Sequence, residues 1–186
     1  DGTVTYGNDS VTVDASHTEE GYLMVSYSGS NSKVKLQITG SDEITYTYNL
    51  HDGYETFPLT SGSGSYTVGV FENIEGTSYS TLFTQAIDVT IQDEFGPYLY
   101  ANQYVNFSAD SKVISKAMEL SASANDDLEV IENVYNYIIT NFTYDYDKAA
   151  SVQSGYLPDV DKVFTENTGI CFDYAAVMAT MLRTQA

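Results

Sequence analysis

Strict alternation of apolar and polar residues is the feature that most limits how this chain can fold. Val34, Leu36 and Ile38 alternate with Lys33, Lys35, Gln37 and Thr39, and Ile44, Tyr46, Tyr48 and Leu50 alternate with Thr45, Thr47 and Asn49. A period of two puts every second side chain on the same face of a strand, so each run buries one face and wets the other. The pattern returns at Tyr66, Val68 and Val70, after the turn Ser61-Gly62-Ser63-Gly64, and at Ile87, Val89 and Ile91. Val4–Tyr6, Val11–Val13 and Leu23–Tyr27 are further candidates. About seven short strands bounded by Gly, Asn, Asp or Ser predict an all-β, immunoglobulin-like antiparallel sandwich over residues 1–92. Pattern alone carries this expectation, because no Cys or Trp pin of the antibody kind lies in this half.

The composition then changes. Residues 1–92 hold 26 Ser and Thr, 10 Gly and 2 Ala, whereas residues 93–186 hold 13, 3 and 11, which favours helices in the second half. Gly96-Pro97 marks the change, and residues 93–108 read as a linker. Ala109–Ala122 has helical composition. Asp126 is placed to cap the next helix, with Glu129 as its capping-box partner and Leu128, Ile131, Tyr135, Ile138 and Phe142 as the apolar face. A loop is expected from Thr143 to Thr168, punctuated by Gly155 and Pro158. The last helix is expected to start around Gly169–Cys171 and to reach Thr184-Gln185-Ala186 with no glycine cap. Its apolar members include Ile170, Tyr174, Val177, Met178, Met181 and Leu182. The expectation is a chain cut inside a larger domain at 109–186, whose uncovered apolar face can drive homodimerisation or domain swapping.

A net charge of −19, from 26 acidic and 7 basic residues, opposes binding to nucleic-acid phosphate or an anionic membrane surface. No apolar run approaches 18 residues, so no transmembrane helix and no membrane insertion are expected. Asp1-Gly2-Thr3 lacks the basic and apolar regions of a signal peptide, and the expectation is that any leader has already gone.

Cys171 is the single cysteine, which excludes an internal disulfide framework and a four-Cys zinc site. Most lone cysteines are small buried hydrophobes. The other reading is a nucleophile, since a thiol at a helix N-terminus is favoured as thiolate and the first-turn N–H groups can bind an oxyanion. Asp173, in the same turn, suits the helix dipole and reads as structural; aimed at Cys171 it would oppose the thiolate. Asp145-x-Asp147 and Asp159-x-Asp161 lack the Gly and distal Glu of a calcium loop and read as loop carboxylates. Neither a metal nor a cofactor is expected.

Gly169-Ile170-Cys171-Phe172-Asp173-Tyr174-Ala175, followed by Met181-Leu182-Arg183, resembles the nucleophile segment of the transglutaminase-like superfamily. Upstream, Val134-Tyr135-Asn136-Tyr137-Ile138 leading to Asn141-Phe142-Thr143-Tyr144-Asp145 resembles the helix and Tyr-Asp turn that precede it. Tyr156-Leu157-Pro158-Asp159 and Val163-Phe164 fill the intervening loop, so the resemblance covers about residues 110–186. It implies the helical N-terminal part of a papain-like α+β core that works by a Cys-His-Asp triad, with Cys171 as nucleophile. In the superfamily the His and Asp follow the helix that ends this chain, and His17 and His51 both fall in the β-rich half. The expectation is therefore an inactive fragment of a secreted protein. Its parent would perform transamidation, deamidation or hydrolysis on protein or peptide substrates. Few Lys and many Ser, Thr and Tyr, together with the resemblance, point to a bacterial extracellular or cell-surface location. The alternative is a non-catalytic cell-surface binding or scaffold module, and a weaker one is a polysaccharide-binding sandwich.

Overall fold

Eight antiparallel strands fill the first part of the computed structural model, which describes residues 2–184. They are β1 (Thr5–Gly7), β2 (Val11–Asp14), β3 (Tyr22–Tyr27), β4 (Val34–Thr39), β5 (Thr45–Leu50), β6 (Gly53–Pro58), β7 (Gly64–Glu75) and β8 (Ser78–Val89). Two four-stranded sheets result, in the orders β1-β2-β3-β6 and β5-β4-β7-β8. In β3 and β4 the alternation seen in the sequence is the burial pattern of the strands. Val34, Leu36 and Ile38 of β4 are buried, and Leu23, Val25 and Tyr27 of β3 face the same core. One buried cluster takes residues from both sheets, and the Tyr48 and Phe57 rings meet between them at 5.0 Å. Each fully buried Leu, Val or Phe stabilises by roughly 1.5–3 kcal/mol relative to exposure.

Of the run Ile44, Tyr46, Tyr48 and Leu50 only the last two are buried, while Ile44 and Tyr46 are exposed near the turn that enters β5, and Val4 is exposed ahead of β1. Two further features departed from expectation. Strand β6 gives little period-two signal, because Phe57 is its one buried residue and Tyr54 is 55% exposed. Strand β8 begins at Ser78, well before Ile87. Its first part is held by ladder bonds to β7 across the Gly76 turn (φ +54°) rather than by core burial. At the entry to β7, the buried Tyr66 hydroxyl donates to the Gly62 carbonyl at 2.8 Å and ties the corner to the strand.

The contacts divide the chain between Tyr100 and Ala101. Part of the segment expected as a linker is packed onto the β unit. Gly96 and Pro97 of a 3-10 turn are buried there, and a Cβ on Gly96 would stand 2.5 Å from the Glu20 carbonyl oxygen.

The second unit contains α1 (Lys112–Ala122), α2 (Asp127–Asn141), β9 (Thr143–Tyr144), α3 (Tyr146–Ser151), α4 (Val160–Glu166), β10 (Thr168–Gly169) and α5 (Cys171–Arg183). Helix α5 packs against α1, α2 and α4, around Val113, Ala117, Val134, Ile138, Val160, Val163, Val177 and Met181. The expected end of the last helix lies partly outside the described residues, at Gln185 and Ala186.

Asp126 caps α2 as expected, accepting from the Glu129 N–H at 2.9 Å. The Glu129 carboxylate reaches one residue further back, to the Asn125 N–H at 2.8 Å. The apolar face of α2 differs from the expected one. Ile138 and Phe142 are buried, but Leu128 is 76% exposed and Ile131 and Tyr135 are also exposed; Val134 takes the central position. The expected loop from Thr143 to Thr168 contains α3, α4 and both short strands. The first Asp of each pair expected as loop carboxylates acts as a helix cap: Asp145 accepts from the Lys148 N–H at 2.8 Å and Asp159 from the Lys162 N–H at 3.0 Å. Asp161 accepts from the Lys112 N–H at 2.9 Å, tying α4 to the start of α1.

Replacing Tyr66 with Phe removes one buried hydrogen bond without altering ring packing. Urea unfolding of the β unit should report a loss of about 1 kcal/mol, with the m-value unchanged.

Candidate functional site

Helix α5 starts where it does because of its third residue. Ile170 is extended (φ −96°, ψ 175°), and its N–H donates to Asp173 Oδ2 at 2.9 Å. That bond is the acidic half of a capping box; Ile170 offers no side-chain acceptor for the other half. Asn167, in the left-handed region at φ +51°, ends α4 and turns the chain into Thr168-Gly169. These two residues pair in parallel with Thr143-Tyr144, and the Asp145 N–H donates to the Gly169 carbonyl at 2.9 Å. The Tyr-Asp turn therefore lies alongside the segment that leads into the helix. A Cβ on Gly169 would stand 2.7 Å from the Asp173 Cβ, so only glycine leaves room for the cap.

Cys171 is the first residue of this 13-residue helix and is exposed. The reading of it as a core residue does not hold. The N–H groups of Cys171, Phe172 and Asp173 have no intrahelical acceptor, and the positive end of the helix dipole lies there. Phe172 borders the thiol and packs near the Tyr104 ring (5.9 Å) and the Tyr156 ring (6.4 Å).

Asp173 is fully buried and turned into the protein. Its Oδ1 accepts from the Tyr156 hydroxyl at 2.5 Å and its Oδ2 from Lys148 Nζ at 2.6 Å. Lys148 Nζ also donates to the Tyr156 hydroxyl at 2.6 Å. Burial by itself would push the Lys148 ammonium down, but its bonds to Asp173 and Tyr156 outweigh burial and the net shift is up. Tyr156 is raised by burial first and by the hydrogen bond to Asp173 second. Both groups are thus held in their protonated, donating forms. Lys148 rides on α3, whose cap is Asp145, and Tyr156 lies in the Tyr-Leu-Pro-Asp turn, so two separate motifs deliver these groups to one carboxylate.

Residues 114–185 match the family model described as the transglutaminase-like superfamily. The helical unit is transglutaminase-like. No curated protein and no solved structure matches the chain.

Within this transglutaminase-like unit Cys171 lies at the expected helix start, and Asp173 has the structural role expected of it. Lys148 and Tyr156 were missed. They lie 25 and 17 residues from Asp173, and no periodicity links them; the one available signal was that an acid in a helix with buried neighbours needs a cation. His17 and His51 belong to the β unit, where their Nδ1 atoms lie 3.3 Å from Glu20 and 3.0 Å from Glu55. Among the described residues, no three His, Cys, Asp or Glu side chains come together as metal ligands.

One buried polar atom in the unit has no partner among the described residues, the Tyr174 hydroxyl. Its ring packs edge-on against Phe142 (5.6 Å) and Tyr144 (6.2 Å). Replacing Tyr174 with Phe should leave the stability of the helical unit unchanged or raise it by about 1 kcal/mol, since no bond is lost and a desolvated hydroxyl is removed. Replacing Gly169 with Ala should instead cost about 1–3 kcal/mol, because the cap must move; helical circular dichroism against urea distinguishes the two.

Proposed function

We propose that the helical unit is the nucleophile-bearing part of a cysteine acyl-transfer enzyme acting on protein or peptide carboxamides. The exposed thiol of Cys171 at the first position of α5, within a segment that matches the transglutaminase-like superfamily, supports this reading. The thiolate sulfur attacks the carbonyl carbon and forms the C–S bond. The carbonyl oxygen takes negative charge, which the unbonded N–H groups of the first turn are oriented to receive. Collapse breaks the C–N bond, and the nitrogen leaves once protonated by a general acid. An amine resolves the thioester as transamidation, and water resolves it as deamidation or hydrolysis.

The superfamily's acid and base is a histidine. Both histidines here lie on the β unit against glutamates, so we assign that role to neither and read these 186 residues as inactive by themselves. The β unit we read as immunoglobulin-like. Each of its two sheets contains one pairing of strands distant in sequence, β3 with β6 and β4 with β7, and Tyr66 bonds back to Gly62 at the start of β7, as the corner tyrosine of such sandwiches does. A secreted or cell-surface bacterial protein remains our reading of its composition.

Because Cys171 is the single cysteine, alkylation reports on it alone. Iodoacetamide should label the native chain to one equivalent by mass spectrometry, and Cys171→Ser should take no label. A glutamine peptide with an amine donor should give no product. Labelling only after denaturation would overturn the nucleophile assignment; Cys171-dependent turnover would overturn the assignment of the base.

A further inference from the structure

Asp173 presents a contradiction for a nucleophile at position 171. Its carboxylate lies in the same helical turn, is completely desolvated, and bonds to the N–H of Ile170, the residue before the cysteine. A negative charge there opposes a thiolate and an acyl oxyanion, and low surrounding polarity strengthens that opposition. Yet removing the carboxylate would remove the cap that starts the helix. The surroundings resolve this. The ammonium of Lys148 lies on one carboxylate oxygen at 2.6 Å and the hydroxyl of Tyr156 on the other at 2.5 Å, and the two donors are bonded to each other.

We infer that Lys148 and Tyr156 are positioning residues for Cys171: they fix Asp173 on the Ile170 N–H and cancel its charge, so that the α5 N-terminus presents a positive field to the sulfur. The inference rests on the reading of Cys171 as the nucleophile. Other titratable groups near this turn are the hydroxyls of Tyr174 on α5, Tyr144 on β9 and Tyr146 on α3, and the carboxylate of Asp145, which is engaged as the α3 cap on the Lys148 N–H at 2.8 Å. Lys148 is thus the charge that balances Asp173. Its stem comes from α3, which reaches the site only because the Tyr-Asp turn pairs with Thr168-Gly169.

The direction of the effect separates charge balance from mere support. The probe is the second-order rate of iodoacetamide alkylation of the 186-residue chain at pH 7, with folding of each variant checked by circular dichroism. Lys148→Met should slow alkylation about tenfold, and Lys148→Arg should stay within about threefold of the parent. Asp173→Asn keeps an oxygen for the Ile170 N–H and removes the opposing charge, so it should accelerate alkylation about threefold. The double variant Lys148→Met with Asp173→Asn should return close to the parent rate. Tyr156→Phe leaves both charges and most of the volume in place, and should slow the reaction about twofold to threefold even if Lys148→Met fails to fold. Rates for Lys148→Met or Tyr156→Phe equal to the parent, or a fall for Asp173→Asn alongside Lys148→Met, overturn the positioning role while rapid parent labelling leaves the nucleophile standing. A parent chain that labels only when denatured overturns both.

Discussion

A single buried carboxylate organises the helical unit. Asp173 is accepted into the interior only because each oxygen has a donor: Ile170 N–H and Lys148 on one, Tyr156 on the other. Left without them, a desolvated charge would cost several kcal/mol, so the elements carrying those donors are tied to the start of α5. The spacing of the Gly-x-Cys-x-Asp segment follows. Asp must stand third to reach back to the N–H before the helix, Gly must stand two residues before Cys to make room for it, and Cys is then left at the exposed first position. The same physics that begins the helix therefore displays the thiol.

The two units have separate cores. In the β unit one cluster, from Val11 to Val89, is drawn from both sheets, whereas the helical unit closes its own cluster around Val134, Val177 and Met181. The site is therefore supported by packing within residues 101–184, and its geometry is set by turns rather than by long elements. Three short devices do this: the Asp145 cap on α3, the parallel pairing of Thr143-Tyr144 with Thr168-Gly169, and the left-handed Asn167.

Where sequence reading succeeded and failed has a common explanation. In β3 and β4, one face is buried and the other wet, so alternation in the chain is alternation in space. In α2 the apolar residues form two stripes, Val130-Val134-Tyr137-Ile138 and Leu128-Ile131-Tyr135-Ile139, set roughly 100° apart around the helix. Each satisfies helical periodicity. Packing against α1 and α5 selected the first, and nothing within α2 itself could have made that choice. The short helices α3 and α4 gave no periodic signal because six or seven residues make fewer than two full turns. Their caps were visible as Asp-x-x-Lys, but the pattern resembles any acidic loop until the chain is folded.

What the sequence determined alone is local: strand faces from a period of two, the start of α2 from Asp126, and the start of α5 from the spacing of Gly169, Cys171 and Asp173. Each depends on residues within a few positions of one another, where covalent geometry fixes what can touch. The partners of Asp173 were decided by tertiary structure, because Lys148 and Tyr156 come from 25 and 17 residues away and meet the carboxylate only after α3 and the following turn have docked. A buried charge demands a counter-charge, and which one answers is a property of the fold.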